Sequence, residues 1–243
     1  MKKNIVLLSL SAVLALGANA DTFGFELGGA YWGAKTSGDF SYKGDKIDLD
    51  RDLGYKDFNT NFVWASFEHP IPIIPNLKIQ HTQLDEKSSK NADVIFDNNL
   101  YTGTVNSTLK LNQTDFIFYY ELLDNWVNFD FGVNAKYIDA STQVDSTTQT
   151  ASSKDLNYVI PMVYAKAKLD LPFSGLSLES DISYISYDSN TFYDLKGGLS
   201  YETSFGLGAT VGYRTQKIEL DDVSDVYSDI QVKGAYAGLF YHF

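Results

Sequence analysis

The chain has 243 residues, a formal net charge of −12 from 19 Lys and Arg against 31 Asp and Glu, and no cysteine. The acidity argues against a nucleic-acid binder, whose phosphate contacts need clustered Lys and Arg. The missing cysteine excludes disulfide frameworks, thiolate metal sites, thiol catalysis and lipid attachment at a thiol. Tyr 17, Phe 16 and Gly 18 against Pro 5 and Met 2 favour strands, and the length suits one large β domain or two small ones.

Lys2 and Lys3 precede an apolar run, Ile5–Leu16, and then Ala18-Asn19-Ala20. That order reads as a secretory signal peptide over 1–20, cleaved before Asp21, because the run is too short to span a bilayer. No apolar run of about 18 residues follows, which excludes an α-helical membrane protein. The mature region, 21–243, then shows segments that alternate apolar and polar side chains, the period of a strand.

Strands are expected at 22–35, 58–67, 77–86, on the two arms of a hairpin around Leu123-Asp124-Asn125, and at 155–171, 176–187, 192–202, 205–218 and 228–243. Polar stretches at 36–57 and 87–107 read as long loops, and shorter loops fall near 145–153 and at 219–227. The segment Glu68–Asn76, EHPIPIIPN, cannot be a ladder strand because its prolines lack donors. It reads as a stiff connector whose Ile71, Ile73 and Ile74 cover one end of the fold. Pro161 falls inside an expected strand, which a closed sheet accepts only at a bulge or near a rim.

In the hairpin, Phe116, Phe118, Tyr120, Val127, Phe129, Phe131 and Val133 make nearly unbroken apolar faces. A soluble sandwich would turn its polar face outward, whereas arms this long and this aromatic match a transmembrane barrel, greasy outside and polar inside. The expected fold is therefore all-β: a transmembrane antiparallel up-and-down β-barrel of ten strands, with short or proline-stiffened turns alternating with longer connections. The longer connections are expected outside the cell and both termini in the periplasm of a Gram-negative bacterium.

Several passages carry a more specific likeness: EHPIPIIPN at 68–76, YYELLDNWVNFDFGV at 119–133, LPFSGLS at 171–177, YISYDSN at 184–190 and GAYAGLFYHF at 234–243. Together they resemble a family of proteobacterial outer-membrane barrels with an EHPIPxIPN turn and a YYExLDNWVN hairpin. The resemblance implies fold and location and carries no assigned activity. The aromatic last residue, Phe243, resembles the C-terminal signal read by the barrel assembly machinery.

Taking the alternation at face value, Glu26, Asp115, Glu121, Asp130, Lys136, Lys166, Lys168, Asp170, Glu179, Asp181, Asp194, Lys196, Glu202 and Arg214 point into the lumen. Charges there must be paired or hydrated. Such a lumen suits either a sealed, structural barrel or a narrow pore preferring cations, because a barrel of this strand number is largely filled by side chains. By the same parity, Asn134→Lys should be mild. A surface adhesin or receptor working through the stretches 36–57 and 87–107 is the alternative. His69, in the proline turn, and His242, beside the C-terminus, fall on the periplasmic side, and His81 is mid-strand with no evident Ser or acid partner, so no catalytic residue is assigned. Trp32, Trp64 and Trp126 read as membrane-interface belts rather than a sugar stripe. The acidic stretch 219–229 brings Asp221, Asp222, Asp225 and Asp229 together, carboxylates of the kind Ca²⁺ prefers, in surroundings of lipopolysaccharide phosphates. No other cofactor is expected, and the expected surroundings are outer-membrane lipid and lipopolysaccharide.

Overall fold

The computed structural model describes residues 23–123 and 126–243. The expected signal peptide, 1–20, and Asp124 and Asn125 of the expected hairpin turn lie outside the described residues. In chain order the strands are β1 (Gly24–Tyr42), β2 (Ile47–Asp48), β3 (Asp57–Glu68), β4 (Asn76–Gln83), β5 (Asp85–Asn91), β6 (Val94–Phe96) and β7 (Asn99–Tyr101), then β8 (Thr104–Leu123), β9 (Val127–Ser146), β10 (Ser152–Leu171), β11 (Leu176–Tyr187), β12 (Asn190–Glu202), β13 (Leu207–Val223) and β14 (Val226–His242).

Each large strand pairs antiparallel with its neighbour in sequence, and β14 pairs back onto β1 from Glu26↔His242 to Tyr42↔Val226. The sheet therefore closes and has no free lateral edge along that seam. Because β4 and β5 follow one another along the same side of β8, they form a single stave, and the barrel has ten. The expected strand count agrees with this topology, but the alternation of connection lengths fails at two crown turns, 188–189 and 224–225, which are two residues each. At the end where β1 begins and β14 finishes, the base, the described turns are 69–75, 172–175 and 203–206. The opposite end, the crown, carries the others.

The strands are longer than the alternation alone indicates. Both β8 and β9 have 20 residues, about 66 Å at roughly 3.3 Å per residue. Crossing an apolar band about 25 Å tall at a tilt near 40° uses about half of that. The outward face marks the band: Tyr31, Tyr137, Tyr184 and Tyr213 are exposed on its crown side, and Phe67, Tyr120, Trp126, Tyr201, Phe205 and Tyr241 on its base side.

Above the band the crown is folded, which corrects the expected long loops. The strand β1 runs on to Tyr42, β5 covers 85–91, and 43–56 and 92–103 close over the top, with Ile47, Leu49, Leu53, Tyr55, Val94, Phe96 and Tyr101 all buried. These apolar residues are spaced irregularly among Asp, Lys and Gly, so they leave no strand period to read. At the proline turn, the His69 N–H donates to Asn76 Oδ1 at 3.0 Å and the Tyr120 hydroxyl to the Ile73 carbonyl at 2.9 Å. Its isoleucines do not cover the base as expected: Ile73 is 85% exposed, and Ile71 and Ile74 are exposed too.

Pro161 has a local reason. The ladder between β10 and β11 begins at Leu171↔Leu176 and stops at Val163↔Tyr184, whereas β10 stays paired to β9 up to Ser152↔Val144. Pro161 thus stands just past the last β11 partner, on a strand edge, where a residue without an N–H is tolerated. The cause is the shortness of the β11–β12 hairpin, which turns at Tyr187↔Asn190.

Candidate functional site in the barrel lumen

Midway along the lumen, side chains from opposite walls meet. The Asp194 carboxylate of β12 accepts from Arg214 Nε at 2.9 Å and Nη2 at 2.7 Å, from Lys136 Nζ at 3.2 Å and from Gln216 Nε2 at 2.7 Å. Arg214 also donates to Thr82 Oγ1 across the barrel at 3.0 Å, and Lys136 Nζ lies 2.7 Å from Asp115. Asn134 donates to Asp115 and Ser183, and Gln113 exchanges hydrogen bonds with Gln216. The guanidinium lies 4.8 Å from the ring centroids of both Trp32 and Phe62. Arg214, Lys136 and Trp32 are fully buried. Ions taken from water are held by opposite charge and by several hydrogen bonds each, which makes such burial tolerable, although the Asn134 Oδ1 beside them is buried without a partner.

Two aromatic rings fit against the wall because glycine faces them. A Cβ on Gly28 would stand 2.1 Å from the Trp64 ring, and one on Gly212 would stand 2.6 Å from the Tyr236 hydroxyl oxygen.

Between this plug and the base lies a polar cavity of about 310 Å³, lined by Glu26, Glu121, Asp130, Lys166, Lys168, Asp170, Glu179, Asp181, Lys196 and Glu202 among others. Neighbouring strands set many of these charges side by side: register partners include Asp130–Lys166, Lys166–Asp181, Lys168–Glu179 and Asp181–Lys196. Lys196 Nζ is 3.2 Å from Asp181 and donates to Gln80 at 2.6 Å, while Glu202 lies 3.4 Å from His242 Nδ1. The Asp170 carboxylate takes Ser177 and Asn128, and Glu26 accepts from Trp64 Nε1 at 2.6 Å. The structure therefore divides the residues singled out from alternation between two places. Asp115, Lys136, Asp194 and Arg214 are in the plug, and the others line the base cavity.

Lys78 and Glu68 also line that cavity and are not among the expected lumen charges; Glu68 borders the apolar 58–67, which hides its register. Sequence reading also misplaced two tryptophans. Trp32 and Trp64 lie inside the barrel, Trp32 donating to the Gly234 carbonyl at 3.1 Å, while Trp126 is exposed at the base. A residue flanked by outward Tyr31 and Gly33 is inward by parity, and parity was the available signal. His81 faces outward and meets Thr114 Oγ1 at 2.9 Å.

The acidic stretch 219–229 is a tight hairpin rather than a loop, turning at Ser224-Asp225. Glu219 and Asp229 are register partners and both reach Lys217, at 3.1 and 3.3 Å, while Asp225 lies 3.6 Å from Lys43. Asp222 and Asp225 adopt left-handed backbone, and the Asp221 N–H donates to Asn190. Among the described residues no group of three or more His, Cys, Asp or Glu is gathered as a metal site.

A closed, ten-stranded antiparallel barrel with an aromatic-edged apolar exterior and a charged, packed interior defines an outer-membrane β-barrel fold. Solved structures share it. The outer membrane protease OmpT of Escherichia coli matches with a TM-score of 0.52 at 13% identity, over 92% of this chain and 97% of that one. Ail, the attachment invasion locus protein of Yersinia pestis, matches at 0.44 and 9% over 91% and 99%, and Neisserial surface protein A at 0.34 and 13% over 91% and 97%. No protein-family model and no curated protein sequence matches the chain. At these identities the likeness is one of fold.

Proposed function

We propose that the protein is a non-enzymatic, non-conducting integral barrel of a Gram-negative outer membrane, with its base in the periplasm and its crown at the cell surface among lipopolysaccharide. The observation that carries this reading is the plug. Arg214, Lys136, Trp32 and Phe62 fill the mid-lumen, and their partners come from several staves around the ring. A hydrated ion would have to displace a charge network whose members already satisfy one another. The base cavity is predominantly acidic, with Glu26, Glu68, Glu121, Asp130, Asp170, Glu179, Asp181 and Glu202 against Lys78, Lys166, Lys168 and Lys196. It gathers cations at a vestibule without passing them. The test is conductance of the refolded protein in a planar bilayer. Silence is expected, and steady cation-selective steps would overturn the sealed reading.

A further inference from the structure

A second cavity, of about 300 Å³, lies on the crown side of the plug. Its chemistry is opposite to that of the base cavity. The walls are aliphatic, with Leu111, Ile138, Leu156, Ile185, Ile218 and Ile230 prominent. Its floor includes the Phe192 ring, which lies 5.4 Å from Lys136 Nζ, and Phe40 in its wall packs against Phe96 of the crown at 6.2 Å. The volume is at the lower end of small-molecule sites, about 300–1,000 Å³.

The chamber reaches the barrel wall where the wall is incomplete. β10 has no β11 partner from Ser152 to Met162, and β13 continues past its last β12 partner, Glu219, to Val223. Consecutive residues of β10, Tyr158 to Pro161, line the cavity, although adjacent side chains point to opposite faces of a strand. The cavity therefore passes through the sheet at this notch. Val159, 64% exposed, is the register partner of Tyr137, which sets the notch at the crown-side edge of the lipid band. The seam between β3 and β5 is also short of ladder, but the crown fills it: Ser88 donates to the Leu53 carbonyl at 2.6 Å and Lys90 reaches the Arg51 carbonyl. Across the β10–β13 notch, Tyr158 Oη meets Ser224 Oγ at 2.9 Å, a hydroxyl pair that can open without breaking a ladder.

We infer that the chamber is a binding site for a linear aliphatic chain, which enters sideways from the crown-side leaflet through the notch between β10 and β13. Aliphatic walls reward a ligand that brings no unpaired polar group. Lys154, at the cavity margin with its Nζ 4.7 Å from the Tyr42 ring, is placed for an anionic head. Such a chain arrives as a free carboxylate or as the tail of a membrane lipid. A barrel that conducts would still contain this chamber, so the bilayer experiment leaves the site untouched.

The probe is cis-parinaric acid, a linear fatty acid that fluoresces when its chain leaves water, added to the full chain in phosphatidylcholine nanodiscs. Expected is a saturable signal above empty discs, displaced by oleate and weakened about tenfold or more by Ala140→Phe, which fills the chamber. Ile218→Trp fills it from another stave and serves should the first variant fail to fold, with heat-dependent gel mobility reporting folding. Tyr158→Phe should speed uptake and leave the plateau unchanged. Native mass spectrometry of protein extracted from membranes separates the sources, a fatty-acid adduct marking a free chain and a lipopolysaccharide or phospholipid adduct a lipid tail. A signal no greater than that of empty discs, or folded filling variants that bind like wild type, would overturn the site.

Discussion

Asp194 shows how a single side chain can hold the lumen together. It accepts from Arg214, Lys136 and Gln216 at once, so Asp194→Ala leaves Arg214 buried without its carboxylate and Lys136 with Asp115 alone, and should cost about 3–5 kcal/mol. Urea unfolding in lipid would measure it, and a loss below 1 kcal/mol would remove the plug from the account of stability. On the outer face, Val211 is 55% exposed toward the lipid band, and Val211→Lys should cost about 2–4 kcal/mol at mid-bilayer depth. Parity suggests that an inward Asn134→Lys is mild. The structure reverses this, because Asn134 is buried and bonded to Asp115 and Ser183 beside Lys136. Both variants are expected to destabilise, and the same urea measurement compares them. Alternation tells which face a residue occupies, but whether that face meets water or a packed neighbour depends on the opposite wall. In the crown, burial pushes the Glu86 carboxyl up to about 7 from 4.5, partly opposed by the Thr36 hydroxyl. The folded state then binds the extra proton between those values, so this contribution is present at low pH and is lost as pH rises through about 7. Thermal melts at pH 5 and pH 8 should show that slope in the wild type, on the order of 1–3 kcal/mol, and its absence in Glu86→Gln.

Among elements, the β13–β14 hairpin and the β10 edge mark where sequence reading stopped. The carboxylates of 219–229 are dense enough in sequence to suggest Ca²⁺, but hairpin geometry alternates them across faces and offers Lys217 and Lys43 as neighbours. Millimolar Ca²⁺ is expected to leave the wild-type melting temperature unchanged. A rise that Asp221→Asn with Asp225→Asn abolishes would establish a site there. Pro161 was legible as a conflict, and the conflict was the signal. A residue that cannot donate marks an unpaired edge, which is where the wall opens. The partner's length was legible as well, since β11 ends at Tyr187 as expected, but the cavity behind the resulting edge was not. The membrane-spanning portions were legible because each has one face in lipid and one in the lumen. The crown was not, because its buried residues come from irregular backbone with no period.

The closed ring depends on its last strand. Phe243 donates its N–H to the Phe25 carbonyl at 2.8 Å and sets its ring, tilted by 55°, 5.7 Å from that of Phe25, beside the β14–β1 ladder. Removing Phe243 should lower the fraction inserted in the outer membrane in cells, read by fractionation and heat-dependent gel mobility. Unchanged insertion would show that neither this closure contact nor the terminal aromatic is needed for assembly. The number of staves and their direction followed from turns and parity alone. The plug, the base cavity and the chamber come from contacts between staves far apart in sequence, such as Arg214 with Thr82, which no local pattern encodes.

The register of the charged rows also bears on how such a barrel can be put into a membrane. Asp115 lies directly across from Lys136 on the β8–β9 hairpin, and Asp181 across from Lys196 on β11–β12. Each of these hairpins carries its own counter-ion before the ring closes, so it can cross the low-dielectric region with those charges already neutralised. Long-range partners such as Thr82 are then needed only at the end. Exchanging the pair, Asp115→Lys with Lys136→Asp, keeps the hairpin balanced and should refold into vesicles faster than Asp115→Lys alone. Equal rates for the two would show that hairpin neutrality does not govern insertion.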